Sequence, residues 1–159
     1  MAALCEVLQG QYSSLETEIV ALEKGILLAK EMALTQVIFE SDALTMVQEI
    51  LSKESNGSLG HLYQGIEDLL KSLRCWKLCH PRREHNRVAH ELAHHARYSA
   101  VSQVWKGCSP PMVRHLIQME LYLVCWLFLS CSGAVFFAFV VSVSLIQKKK
   151  KKKGPLLKD

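Results

Sequence analysis

The sequence predicts an α/β fold in which amphipathic helices alternate with short parallel strands. Apolar residues recur at three- and four-residue steps in several segments of 15–100, and short runs of β-forming residues lie between them. The resulting order is helix, strand, helix, helix, strand, helix, which favours two parallel strands joined by right-handed crossovers. Because two strands do not make a stable covered sheet alone, we expect part of an α/β domain whose other strands are absent.

Each predicted helix has one apolar stripe. The first covers about 15–33, the second has Ser41 or Asp42 as its N-cap, and the last follows Asn86 as a cap. In chain order, the stripes are Leu15, Ile19, Leu22, Ile26 and Ala29; Leu44, Val47, Ile50 and Leu51; Leu62, Ile66, Leu69, Leu70 and Leu73; and Val88, Leu92 and Ala96. Stripes of this width indicate helices that cover one face of a sheet.

The two predicted strands, Val37–Phe39 and Trp76–Cys79, are each followed by a residue that can do chemistry. Asp42 follows the first strand and His80 the second, so parallel strands would bring both to one sheet edge. Glu18, near the start of the first helix, is expected close to that edge. Neighbouring carboxylates repel each other unless a cation lies between them, and Mg²⁺ favours such ligands. This arrangement indicates metal-assisted phosphodiester hydrolysis.

Each of these residues also has a simpler explanation. Asp42 suits a helix N-cap, Glu18 suits a solvated acid in the first turns of a helix, and His80 precedes a proline in a predicted loop. Taken one at a time, the simpler explanations are favoured. The catalytic interpretation depends on the three residues occurring together.

Two stretches of the sequence carry a family resemblance. TEIVALEKGILLAKEMALTQVIFESDALTMVQEI and HPRREHNRVAHELAHHA resemble the retroelement-derived ribonuclease H domains of plants, which are reverse transcriptase-like. The matching motifs are Ala-Lys-Glu, Glu-Ser-Asp and the closing His-x-x-Arg-Glu-x-Asn-Arg-x-Ala pattern. The resemblance covers about residues 15–100, and the segment through Trp105 and Pro110-Pro111 is similar to the usual end of such domains.

The resemblance implies roles for particular residues. Glu18 and Asp42 fall on family ligands of two Mg²⁺ ions, and His80 falls on the family's mobile histidine, which assists catalysis and product release. His90 stands where the family has its last metal-binding acid. The implied activity is cleavage of the RNA strand of an RNA–DNA hybrid. No small-molecule cofactor is implied.

The resemblance also predicts that part of the family's fold is missing from this sequence. The family's first three strands, with the leading metal-binding aspartate, have no evident counterpart in the unassigned leader, residues 1–14. We therefore expect a partial, N-terminally truncated ribonuclease H-like fold over 15–100 with weak or absent hydrolysis. The alternatives are a non-catalytic remnant that binds nucleic acid or another partner, and a membrane-anchored protein of unknown role.

Basic residues and possible metal ligands each allow two interpretations. Arg82, Arg83 and Arg87 suit contacts with nucleic-acid phosphates, and equally suit local ion pairs with neighbouring glutamates. Cys75 and Cys79, with the histidines that follow, invite a zinc interpretation. Their spacing is not that of a zinc motif, so ordinary surface residues are favoured.

The C-terminal part of the sequence differs from the rest. Residues 101–120 contain a Cys-Ser-Pro-Pro breaker and predict an irregular tail or a short helix. The 26 residues from 121 to 146 carry no charge, which predicts a hydrophobic transmembrane helix over 121–147, followed by a polylysine tail over 148–159. Because AAA codons encode lysine, a translated poly(A) stretch after untranslated sequence explains the same residues.

Composition limits the cellular setting. The net charge is +4, and without the six lysines at 148–153 it is −2, so the chain as a whole is not strongly basic. Its six cysteines are scattered, and the N-terminus lacks the pattern of a signal peptide. We expect an intracellular protein: membrane-bound if the span at 121–146 is genuine, and otherwise cytoplasmic or nuclear.

Overall fold

The computed structural model describes residues 2–53, 57–80 and 86–119, together with the backbone of 142–147. Its strands are β1 (Ala2–Leu8), β2 (Gln36–Glu40), β3 (Cys75–Cys79), β4 (Gln103–Lys106) and β5 (Ser142–Gln147). Its helices are α1 (Ser14–Glu31), α2 (Leu44–Ser52), α3 (Gly60–Lys71) and α4 (Arg87–Ser99). A 3₁₀ turn at Pro111–Val113 leads into helical residues 114–119.

The first sheet consists of β2 and β3, which run parallel from the pair Gln36–Cys75 to the pair Glu40–Cys79. The predicted parallel pair is therefore confirmed. Helices α1, α2 and α3 share its apolar core, in which Ile26, Met46 and Ile66 are fully buried. We call this unit the β2–β3 layer.

Helix α1 begins with a capping box. The Ser13 hydroxyl accepts a hydrogen bond from the Glu16 amide at 3.1 Å, and the Glu16 carboxylate accepts one from the Ser13 amide. This exchange satisfies amides that have no partner within a helix. The predicted stripe of this helix lies against the core, with Leu15 only partly buried at its start.

The second sheet has the strand order β4–β1–β5. The central strand β1 pairs antiparallel with β4 and parallel with β5. Helix α4 covers this sheet through the predicted residues Val88, Leu92 and Ala96, which pack against Cys5 and Trp105. We call this unit the β1 layer.

Helix α1 connects the two layers. It packs against both β2 and β5. Its residue Lys24 forms an ion pair with Glu6 of β1 at 3.3 Å, and Glu31 at its other end pairs with Lys106 of β4. One helix therefore fixes the position of the β1 layer relative to the β2–β3 layer.

Strand β1 corrects the expectation for residues 1–14. That segment was expected to be a leader without a counterpart to the family's strands, yet Ala2–Leu8 forms the centre of a sheet and is mostly buried. Its two alanines and its glutamate are weak strand formers, so its sequence gives little β signal. Pairing with β4 on one edge and β5 on the other stabilises the strand conformation that the residue types of β1 do not favour by themselves.

The C-terminal predictions also need correction. Gln103–Lys106, expected in an irregular tail, is strand β4, and Ser142–Gln147, expected in a transmembrane helix, is strand β5. Alternating serine with valine suits a strand, and parallel pairing with β1 gives its backbone hydrogen-bond partners. Among the residues described, no helix has the length and apolarity needed to cross a bilayer. Residues 121–141 and the polylysine tail lie outside the described residues.

Helix α2 differs from prediction in its cap and its buried face. It begins at Leu44 with Ala43 in the N-cap position and no side-chain capping bond, so neither Ser41 nor Asp42 is its N-cap. Leu44 and Leu51 are exposed, and the helix buries Met46 in their place. Asn86 does occupy the N-cap position of α4, although without a capping hydrogen bond from its side chain.

Candidate active-site edge

The parallel strands β2 and β3 end at one edge of their sheet. Asp42 lies two residues beyond the end of β2, and His80 directly follows β3. The Ser41 amide donates to the Cys79 carbonyl oxygen at 3.2 Å, which extends the strand pairing by one residue. This hydrogen bond brings the segments carrying Asp42 and His80 side by side.

Helix α1 places Glu18 beside the same edge. One carboxylate oxygen of Glu18 accepts a long hydrogen bond of 3.5 Å from the Ser41 hydroxyl. The neighbouring Ile19 is buried in the core of the β2–β3 layer, so the backbone of α1 is held firmly at this point. Glu18 is half-buried and lies within electrostatic range of Asp42, which is also half-buried.

The electrostatics of this edge favour a cation. Burial, and then the negative charge of Asp42, raise the pKa of Glu18 above 4.5, while the Ser41 hydrogen bond opposes that rise. Desolvation and a like charge both disfavour the ionised carboxylate. A divalent cation between the two acids would reverse the second effect, so the pair is suited to bind one.

His80 is exposed at the end of β3, and its ring is oriented by a backbone contact. Its Nδ1 atom lies 3.0 Å from the Ser41 carbonyl oxygen. A carbonyl can only accept, so this contact places a proton on Nδ1 and, in the neutral ring, leaves Nε2 as the acceptor. The ring can therefore take up a proton at Nε2.

The structure does not bring all the predicted site residues together. His90 is an exposed residue of α4, and the described residues contain no group of three histidine, cysteine, aspartate or glutamate side chains that could hold a metal ion. Glu18, Asp42 and His90 therefore do not form a three-ligand site. Arg87 is exposed at the first position of α4, while Arg82 and Arg83 lie outside the described residues.

The structure also gives no support to the zinc interpretation of Cys75 and Cys79. Cys75 is exposed and Cys79 half-buried, four residues apart on β3, and both are free thiols. Neither belongs to a three-ligand group within the part of the chain that the structure describes. Nothing in this geometry favours zinc over ordinary cysteines.

Sequence reasoning assigned the wrong role to one residue at this edge. Ser41 was considered only as a helix cap, yet it contacts both Glu18 and His80 and lies between them. The available signal was its position, since a serine next to an acid at the end of a strand has several backbone groups within reach.

Comparison of the sequence with known protein families gives a match. The sequence profile of the family described as reverse transcriptase-like matches residues 1–96, which is more than half of the 159-residue chain. The matched range includes strand β1 as well as Glu18, Asp42 and His80. No curated protein and no solved structure gave a significant match.

Proposed function

Because the chain belongs to the reverse transcriptase-like family of ribonuclease H domains, we propose that it binds nucleic acid at the edge formed by Glu18, Asp42 and His80. The proposed ligand is an RNA–DNA hybrid, and hydrolysis of its RNA strand is at most weak. The observation that carries this proposal is the contact between Glu18 and Ser41, the residue next to Asp42, where the parallel strands end. Family membership supports a nucleic-acid ligand in general, and the acids suggest where its phosphates lie.

The two acids fit one Mg²⁺ ion better than two. Mg²⁺ is commonly held by one or two carboxylates, with water and substrate phosphate filling its other positions. Glu18 and Asp42 would hold the ion, which when bound would polarise a phosphate oxygen. A two-ion site needs further ligands, and the described residues bring no third metal-binding side chain to this pair. For this reason we propose binding with little cleavage.

His80 would act as a proton acceptor at this edge. Its Nδ1 is occupied by the Ser41 carbonyl, so Nε2 is the nitrogen that can take a proton from an attacking water. His80 is exposed, so a substrate can reach its ring. Arg87, also exposed, would add a phosphate contact from the start of α4.

Binding of a labelled RNA–DNA hybrid by the whole chain tests this proposal. We expect Mg²⁺-dependent binding that falls about tenfold in Asp42→Asn, since loss of one ligand weakens both the ion and its phosphate contact. Asp68→Asn is the matched control, because Asp68 is an exposed acid of α3 that pairs with Lys71. Equal binding by Asp42→Asn and wild type would contradict the proposal.

Cleavage of the same hybrid separates binding from catalysis. We expect a slow reaction or none in wild type, and complete loss of any activity in Asp42→Asn. Rapid cleavage by wild type would show that the ligand set is more complete than Glu18 and Asp42 suggest. The proposal of binding with little hydrolysis would then be wrong.

A further inference from the structure

Ser41 is a buried polar residue at the edge of the β2–β3 sheet. It is 8% exposed and, among the residues that the structure describes, is the one buried residue that is neither apolar nor aromatic. A buried hydroxyl is unfavourable unless it forms hydrogen bonds. The partners of Ser41 therefore indicate why a serine is tolerated at this position.

The polar groups of Ser41 bond to four residues in three parts of the fold. Its amide donates to the Cys79 carbonyl at the end of β3, and its carbonyl contacts the His80 ring at 3.0 Å. Its hydroxyl oxygen accepts from the Ala43 amide at 3.2 Å, just before α2. The same hydroxyl donates to Glu18 of α1 across 3.5 Å.

The direction of these bonds is fixed by chemistry. A serine hydroxyl has one proton, and the bond from the Ala43 amide uses a lone pair of the oxygen. The proton is therefore left for the Glu18 carboxylate, an acceptor when ionised. In the same way the Ser41 carbonyl can only accept, so it selects the His80 tautomer with a proton on Nδ1.

We propose that Ser41 is a positioning residue: it orients the Glu18 carboxylate toward Asp42 and fixes His80 with Nε2 as its free acceptor. The consequence for metal binding rests on the proposed function, because it assumes that Glu18 and Asp42 bind Mg²⁺. The consequence for the His80 tautomer does not. Ser41 itself touches neither metal nor substrate in this proposal.

Calorimetric titration of Mg²⁺ into the full chain tests the metal consequence. We expect Ser41→Ala to weaken binding roughly tenfold, since partners of metal ligands typically account for 10–100-fold in affinity. Ser41→Thr keeps the hydroxyl and should recover most of the affinity. The matched control is Ser52→Ala, because the exposed Ser52 hydroxyl donates to the Glu49 carbonyl within helix α2.

Nitrogen-15 spectra of the histidine rings test the second consequence. In wild type at high pH we expect His80 to show protonated Nδ1 and unprotonated Nε2. In Ser41→Ala the turn loses the Ala43 bond, so the carbonyl shifts and His80 should become a mixture of tautomers. If Ser41→Ala fails to fold, Ser41→Cys can be used in both measurements. The cysteine side chain has a shape similar to that of serine, but its thiol is a much weaker hydrogen-bond donor.

The outcomes separate the two proposals. If a folded Ser41→Ala binds Mg²⁺ as tightly as wild type, the positioning role is overturned while the metal site stands. If wild type binds no Mg²⁺, the proposal that Glu18 and Asp42 bind this ion is wrong. The His80 spectra still test whether Ser41 is a positioning residue. An unchanged tautomer in Ser41→Ala or Ser41→Cys would then overturn the positioning role.

Discussion

The β2–β3 layer and the β1 layer differ in how far apart along the chain their paired strands lie. Strands β2 and β3 are joined through α2 and α3, whereas β1 pairs with β4, about a hundred residues later, and with β5, later still. The β2–β3 layer also carries Asp42 and His80, while the β1 layer supplies none of the acids at the candidate site. The proposed chemistry therefore depends on the locally connected layer, and the distant strands complete the fold around it.

The largest expected effect on stability comes from creating a cavity in the core of either layer. Ile26→Ala in the β2–β3 layer and Leu92→Ala in the β1 layer each remove a side chain with 0% exposure, which should lower the free energy of unfolding by about 2–5 kcal/mol. Because α1 packs against both layers, we expect one shared transition in chemical denaturation. Two separate transitions would show that the layers unfold independently.

Exposed residues provide the controls for this measurement. Leu27→Ala on α1 and Val104→Ala on β4 change side chains that are 43% and 47% exposed. Each should shift the free energy of unfolding by less than about 1 kcal/mol. A control that destabilises as much as Ile26→Ala would mean that cavity formation is not the cause.

Removal of residues 120–159 should have the next largest effect. This deletion takes away β5, so the β1 amides lose their parallel partner, and we expect their hydrogen-exchange protection to fall about tenfold or more. Amides of β2 and β3 should keep most of their protection, because they pair with each other. An equal loss of hydrogen-exchange protection in both sheets would show that the β2–β3 layer also depends on β5.

Glu18→Gln tests the electrostatics of the candidate site. The pKa of Glu18 is raised in the folded chain by burial and by Asp42, so folding becomes less favourable as pH rises from about 4.5 through the folded pKa. At pH 7 the substitution should therefore raise Tm by a few degrees, and below pH 4 this gain should vanish. Glu23→Gln on the same helix is the control, and a gain that is equal at both pH values would contradict the explanation.

The smallest expected effect is on the ion pair between the layers. Lys24→Met removes the 3.3 Å contact between α1 and Glu6 of β1, which is partly exposed to solvent. Such pairs contribute about 0.2–1 kcal/mol, and salt screens them. Thermal unfolding of Lys24→Met and wild type should therefore differ at low salt and converge at 1 M salt. A difference that persists at high salt would point to lost packing of the lysine stem.

The predictability of the fold follows the same division. The spacing of Val88, Leu92 and Ala96 identified the buried face of α4 correctly, because helical periodicity is a local property. Strand β1 was missed because Ala2–Leu8 has weak β preference and is stabilised by residues far along the chain. Strand β5 was missed because it belongs to an uncharged run that satisfies the length rule for a membrane span.

The site was predictable to the extent that strand direction determines it. Any parallel pairing of β2 and β3 places Asp42 and His80 at the same edge of the sheet. Predicting this needed only the positions of the strands and helices, which the hydrophobic periodicity of the sequence indicates. The contacts of Ser41 could not be predicted, because they depend on a one-residue extension of the strand pairing and on α2 starting at Leu44. Differences of one residue lie within the uncertainty of any helix boundary read from sequence.

The pairing of β1 with β5 has a consequence for biosynthesis. At about 5–20 residues per second, the ribosome adds the residues of β5 roughly 7–28 seconds after those of β1. During that interval Ala2–Leu8 is a short apolar strand with open edges, the kind of segment that associates with other nascent chains. Binding by a chaperone early in translation would protect it, and slower translation would lengthen the exposure.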